Sequence, residues 1–515
     1  MADRIMGLLG GIGALLVVQG CGSSEQPAQG GTGGAGPSAG VTGTAGSPAA
    51  GAGGSATGGS GMGGAPMGGT AGSLGGSAGE PQAGSSGMPG GGMGGAAGAG
   101  GGASGSGGAA GATGTATFTV KSELASAVDP SAPTTVGIVT WSVDVGGLSN
   151  ASIEFGLDTA YGMRAPVDLA EAEYRTLLLG MKPSSMYHFR IVAADTTTMY
   201  VSDDYVIETG APTTAVDVGS FDVMDDAGRE RGFIVTSYWR GDGSAVPFIL
   251  DADGQIVWWY TGGPNGIARA RMSADGKNVW MIAASNNGAA LRRVTMDGLD
   301  AQTYNGTVGS HDITPVAGAT MAFLEYGESD CDSIYEIDPA GTAMEVWESQ
   351  GVVSSGGCHG NALRYSQAEN AYTFSDVSQD IFVVGRSGTL MWRLSERVSG
   401  GNDAWGGTQH GHQLLDSSIV VFANVGGGQG ISSFIEYDLQ GSEIRRYDDG
   451  GFSQNLGDVQ RLPGGNTLIT YSNDGLIQEI DEDDNVVLEI DAGSPSFGYA
   501  LWRETLYGEP PDIGQ

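Results

Sequence analysis

The chain has 515 residues, 94 of them glycine, and 58 acidic side chains against 22 Lys and Arg, a net charge of −36. That balance argues against nucleic acid and anionic membrane surfaces as partners. It also obliges any anion-binding pocket to gather its scarce Arg and His locally.

Met1–Arg4 makes a short n-region with one basic residue, and Ile5–Val18 is an apolar stretch too short for a comfortable membrane span. It ends in Val17-Val18-Gln19-Gly20-Cys21. A small residue before a cysteine, after an aliphatic one, resembles the bacterial lipobox. That resemblance implies a signal peptide over residues 1–20, a lipid on Cys21 and an exported lipoprotein at the outer membrane or cell surface, with the periplasmic face left open. Gly22 follows in place of Asp, so nothing argues for inner-membrane retention. No later segment is apolar enough to span, which leaves the lipid as the expected membrane contact.

Residues 21–115 are almost wholly Gly, Ala and Ser, with no Lys, Arg or aromatic residue and only Glu25 and Glu80 charged. Such a segment has no apolar surface to offset its ordering entropy and is expected to be a disordered linker. A Gly-rich coil of this length reaches roughly 50–60 Å. The charge lies beyond it, in about 400 residues with 55 acidic and 21 basic side chains. After Cys21 only Cys331 and Cys358 remain, and an even pair in an exported chain is expected to form a disulfide.

Residues 116–211 show short period-2 segments at Thr117–Lys121, Val136–Val143, Ser152–Phe155, Arg175–Leu179, Tyr187–Ala193 and Tyr205–Glu208, the pattern of a β-sandwich. The run from Leu179 through Pro183 and Tyr187 to Arg190 resembles the fibronectin type III signature. Trp141 suits that family's core tryptophan, and His188 falls on the outward alternation of its strand.

From residue 212 to 515 the chain repeats. An apolar strand, a tight turn and a second strand often bearing an aromatic recur six times. The turns fall at Gly254, Gly298, Gly341, Gly388, Gly441 and Asp484, spaced 44, 43, 47, 53 and 43 residues apart. That is the length of a four-stranded propeller blade. The predicted fold is all-β: a six-bladed β-propeller preceded by a fibronectin III-like β-sandwich and a disordered Gly/Ala/Ser-rich linker. Trp258, Trp347, Trp392 and Tyr447 follow these turns and are expected to pack between blades.

Four of the five histidines fall in this repeat. His311 opens an inner strand seven residues before Gly318. The matching positions are Arg269, seven before Gly276; His359; His410, seven before Ser417; and Asp458, seven before Gly465. Equivalent ends of inner strands converge on the propeller axis, so these five residues are expected to form one ring. His412 lies one strand alternation beyond His410 on the same face.

The local sequences His311-Asp312, His359-Gly360-Asn361-Ala362-Leu363 and Gln409-His410-Gly411-His412, the last followed by Val420-Val421-Phe422-Ala423-Asn424, resemble the three histidine motifs of bacterial arylsulfotransferases. The ending Ala500-Leu501-Trp502-Arg503-Glu504-Thr505-Leu506-Tyr507-Gly508 is similar too. The resemblance covers about 300 residues and implies transfer of sulfuryl from a phenolic sulfate ester to a phenol through a sulfated histidine, without a cofactor. On this sequence it implies His410 as nucleophile. His311, His359 and the Asn361 amide would bind the sulfuryl and bridging oxygens. Arg269, His412 and Asp458 complete the expected substrate-binding set.

One departure stands out. The family places an Arg in a Ser-x-Arg turn after the second motif, and here Ser375-Asp376 is followed by Val377. A fixed guanidinium is thereby lost. Arg269 is the expected substitute, and Arg386 is expected to point elsewhere. A second reading is therefore a non-catalytic surface propeller that binds a ligand or protein partner. A third is metal-assisted chemistry at three His and Asp458, for which only His410 and His412 pair on one element. No metal is expected.

Overall fold

The structure, a computed structural model, describes residues 112–212, 222–225, 228–239, 245–263, 267–283, 289–326, 331–353, 358–377, 379–426, 430–492 and 497–508. The expected signal peptide, Cys21 and the expected linker as far as residue 111 lie outside these residues. The last part of the stretch expected as linker is not a coil, because Ala112–Gly114 forms a strand paired with Thr198–Tyr200. Among the described residues, no helix is long and apolar enough to cross a membrane.

The first part is a β-sandwich. One sheet carries Ala112–Gly114, Thr198–Val201, Met186–Ala194, Asn150–Gly156 and Met163–Pro166, with Tyr205–Glu208 added beside Met186–Ala194; the other carries Phe118–Leu124, Gly137–Val143 and Thr176–Leu178. Along Met186–Ala194 the burial alternates with the side-chain period of a strand, so Tyr187, Phe189, Ile191 and Ala193 enter the core beside Trp141. The Lys182 N–H donates to the Tyr187 hydroxyl at 2.8 Å, which ties the corner before that strand. His188 alternates outward and meets Asp204 at 2.8 Å.

The second part is a six-bladed β-propeller. Blades 2 and 3 share one long strand, Ala301–Ala317, which leaves the outer edge of one and becomes the inner strand of the next. Blade 4 runs Gly360–Ser366, Ala371–Asp376, Asp380–Gly385 and Leu390–Arg393; blade 5 runs Gln409–Leu414, Ser418–Ala423, Ser433–Asp438 and Glu443–Tyr447. The six turns read from the sequence lie between third and outer strands, and all six residues have positive φ, Asp484 included at 64°. Glycine takes that conformation without a Cβ clash, and Asp is among the few other residues that tolerate it.

Ring closure departs from six contiguous repeats. Leu501–Arg503, near the end of the chain, is the inner strand of blade 1 against Phe233–Trp239, while Asp222–Asp225 is a fifth, outermost strand on blade 6. Both chain ends of the propeller are thus hydrogen-bonded across the closure.

Apolar layers fill the spaces between blades. Trp258 is buried and donates its indole N–H to Met296 O of the next blade at 2.8 Å; Trp347 packs its ring on Phe374 and Phe382 of blade 4. A fully buried aromatic removes roughly 150–250 Å² from water, about 4–6 kcal/mol by area. The sandwich docks through Thr135 Oγ1 to Val257 O at 2.7 Å and through Tyr507, whose hydroxyl accepts from Leu179 N–H at 2.7 Å and donates to Leu177 O.

Candidate functional site

Inner strands reach the propeller axis with their pairing disturbed at one place. The register shifts between Ile267 and Arg269 in blade 2, Ser310 and Ile313 in blade 3, Gly360 and Ala362 in blade 4, and Gln409 and His412 in blade 5. A bulge re-aims a side chain that would otherwise follow the pleat. Arg269, His311, Asp312, Asn361 and His410 all sit at these irregularities. His311 additionally holds φ at 50°, a strained conformation for a side chain with a Cβ.

The structure brings the three motif histidines together. The His311 and His359 rings meet edge to face with centroids 4.6 Å apart, and His311 lies within electrostatic reach of His410 as well as His359. Burial holds all three below the ordinary imidazole range, His410 at about 3, and their mutual repulsion adds to this for His311 and His410. The cluster is neutral at pH 7.

The tautomer of His410 follows from its neighbour. The Asn424 amide nitrogen donates to Ser453 O at 2.8 Å and to Leu456 O at 2.9 Å. Both N–H groups are spent, so the amide oxygen must face the imidazole. It lies 2.7 Å from His410 Nδ1, which therefore carries the proton and donates it. His410 Nε2 is left with its lone pair, buried, and without a partner among the described residues.

His359 presents the same unpartnered Nε2, while its own backbone is held from both sides. Its N–H donates to Asp376 at 2.7 Å, its carbonyl accepts from Val377 N–H at 2.9 Å, and the next N–H, of Gly360, donates to Asp332 at 2.7 Å. Cys358 is disulfide-bonded to Cys331, so the bridge joins the two chain segments carrying His359 and Asp332. Burial raises the Asp332 carboxyl to about 7.

Asn361 gives an amide N–H to Gln409 O at 2.7 Å, across to the blade that carries His410, and its amide oxygen is unpartnered. Part of the donor capacity expected for sulfuryl oxygens is therefore spent on positioning. His412 is fully buried, and the bulge between Gln409 and His412 breaks the simple alternation expected to put it on the face of His410. Its acid form is disfavoured by burial and by Arg364, down to about 4.

Arg269 and Asp458 share the ring but do not stand free in it, and the expected substitute for the missing arginine fails here. Arg269 donates through Nε and Nη2 to Asp312 at 2.7 and 3.0 Å, and through Nη1 to Asp458. Its guanidinium carbon also sits 3.8 Å over the Tyr499 ring. Asp458 accepts from Arg364 at 2.8 Å and is held at about 2, burial opposing the Arg269 and Arg364 charges that lower it. With these charges committed to one another, the Arg269 guanidinium has no N–H group directed to an added anion. Val377 is buried, and Arg386 pairs with Glu336 at 2.7 and 2.8 Å, away from the ring.

Tyr499 is the sixth member of the ring and has no histidine-like signature. It forms a bridge to Arg269, its hydroxyl donates to Asn361 O at 3.0 Å, and its ring centroid is 6.5 Å from that of His410. Its place two residues before the closing strand Leu501–Arg503 is the signal that marks it. Among the described residues no group of three or more His, Cys, Asp or Glu could hold a metal ion.

No family model matches the chain, and no curated protein does. Among solved structures, a protein of unknown function from Bacteroides caccae is 14% identical over 53% of this chain and 99% of its own, with a TM-score of 0.39. One of unknown function from Bacteroides thetaiotaomicron is 12% identical over 73% and 88%, TM-score 0.33. Virginiamycin B lyase from Staphylococcus aureus is 11% identical over 73% and 99%, TM-score 0.33. No activity transfers to this chain at that level of likeness.

Proposed function

We propose that this protein transfers a sulfuryl group from a phenolic sulfate ester to a second phenol, with His410 as the group that carries it between them. One observation supports this reading above the others. Asn424, committed to two carbonyls, leaves His410 Nε2 as a buried and unpartnered lone pair beside two more neutral histidines. The likeness of the three histidine motifs to arylsulfotransferases supplies the electrophile.

In the first half-reaction the Nε2 lone pair forms the N–S bond, and the ester S–O bond breaks with its electron pair on the phenolic oxygen. An N–H of the neutral His311–His359 pair donates a hydrogen bond to that oxygen as its charge develops, and the phenolate leaves and takes its proton from water. In the second half-reaction the accepting phenol's oxygen attacks sulfur, and the N–S bond breaks with its pair returning to Nε2. The phenol's proton passes to an imidazole lone pair and on to water. Burial keeps these imidazoles neutral, so no proton must first be removed from the nucleophile. The reading includes export and a lipid on Cys21, which holds the propeller at the cell surface on the Gly-rich segment. Lipid labelling lost in Cys21→Ser checks that part.

A non-catalytic propeller is the second reading, and a specific observation favours it. Arg269 is not available to clamp sulfuryl oxygens, because it is paired with Asp312 and Asp458, and Val377 stands where the resemblance places an arginine. Steady-state kinetics of the full chain with an aryl sulfate and a phenol decide between them. Ping-pong turnover, abolished in His410→Ala and indifferent to a chelator, is expected. A folded protein with no turnover gives the second reading, and turnover lost on chelation gives metal-assisted chemistry.

A further inference from the structure

The channel carries more positive charge than its carboxylates answer. Arg269, Arg271 and Arg364 are each at most 2% exposed. Asp312 and Asp458 are the carboxylates that act on Arg271, and both are already engaged. Asp312 takes Arg269 through both oxygens and also accepts from the backbone N–H groups of Ile313 and Leu363. Asp458 takes Arg269, Arg364 and the Val459 N–H.

Arg271 comes third. It lies one strand alternation beyond Arg269, in unbroken register with it. Its closest approach to a carboxylate is 3.6 Å, to Asp312, and its contacts to Thr314 Oγ1 and Leu363 O are both 3.5 Å. Those lengths lie beyond ordinary N–H···O bonds. Its Nε–H has no partner among the described residues, and neither has Arg364 Nε. A guanidinium does not shed its proton, so Arg271 keeps a buried charge with no carboxylate at ordinary hydrogen-bond distance, the two nearest being taken by Arg269 and Arg364. Leaving one buried charge unanswered is strongly destabilising.

We propose that the axial channel binds one small monovalent anion of the halide class against the Arg271 guanidinium. A single guanidinium in this position selects a monovalent ion, and the burial of its donors selects a small one. Arg271 offers it an Nε–H donor, and the Arg364 charge, close enough to act on Arg271, adds to the attraction. The inference is independent of sulfuryl transfer.

Thermal unfolding of the full chain in sodium chloride and in sodium gluconate, at matched ionic strength, tests it. Chloride is expected to raise the apparent midpoint by about 2 °C or more, saturably, over gluconate. Arg271→Met is expected to lose the difference. Equal midpoints in the two salts for the native chain would overturn the proposal, since screening alone does not distinguish them. Crystals of the native chain in sodium bromide give a reading that does not depend on the variant folding. An anomalous peak within hydrogen-bond reach of Arg271 is expected, and an ordered channel without one would overturn it.

Discussion

Asn424 accepts the Nδ1–H of His410 at 2.7 Å while giving both of its own N–H groups to backbone carbonyls of Ser453 and Leu456. Neither residue could exchange its role without breaking one of these bonds. A motif of apolar strand residues ending in Asn thus sets which imidazole nitrogen is available for chemistry.

Asn424→Ala removes that constraint. Sulfuryl transfer is expected to fall by roughly 100-fold or more, as happens when an oriented histidine loses the group that sets its tautomer. Two buried carbonyls also lose their donor, a cost of about 1–3 kcal/mol. Initial rates and thermal midpoints check both. A variant that is less stable but fully active would contradict the assignment.

The pH dependence follows from burial. His410 is held at about 3, so phenol release from an aryl sulfate is expected to stay level from pH 8 down to about 5. Rate loss centred near 6.5 would mean an exposed imidazole. Stability behaves differently, because the unfolded chain takes up protons below about 6.5 that the folded histidines refuse. For His412, held at about 4, the contribution is present above the unfolded value and is lost as pH falls. Between those values His412→Leu is expected to lose less stability than the native chain, by up to about 1.4 kcal/mol per pH unit. Denaturant unfolding at several pH values measures it.

Gly411 sits between the two histidines of blade 5, and a Cβ there would overlap the backbone and carboxylate of Asp458. Its N–H also donates to Gly457 O at 3.0 Å, joining blades 5 and 6. Gly411→Ala is expected to cost about 1–3 kcal/mol or more through overpacking. The thermal midpoint reports it, and an unchanged value would contradict the close approach.

The Cys331–Cys358 bridge closes a loop of 27 residues' separation that spans the outer strand of blade 3. Replacing both by Ser is expected to remove about 3–4 kcal/mol of stability on the chain-entropy estimate. Since Cys358 precedes His359, transfer activity should fall with it, measurable below the new unfolding midpoint.

Much of the fold is legible in the sequence because its signals are local. The six turns need left-handed backbone, and only Gly or a residue such as Asp484 supplies it cheaply. The histidine register is legible for the same reason, since a repeat converts sequence spacing into position around an axis. Charge pairing is not. Whether Arg269 is free or bound to Asp312 and Asp458 depends on bulges that turn the side chains, and no spacing encodes them. Tyr499 escapes because the strand that follows it completes a blade begun more than two hundred residues earlier. The repeat is broken in sequence where it is whole in space.

The decisive measurement is a single turnover of the full chain with a sulfur-radiolabelled aryl sulfate and no acceptor, followed by peptide mapping under alkaline conditions that preserve sulfohistidine. One equivalent of phenol released and label on the peptide carrying His410, at Nε2, is the expected result. A folded protein that releases no phenol, or label on any other residue, would contradict the role assigned to His410.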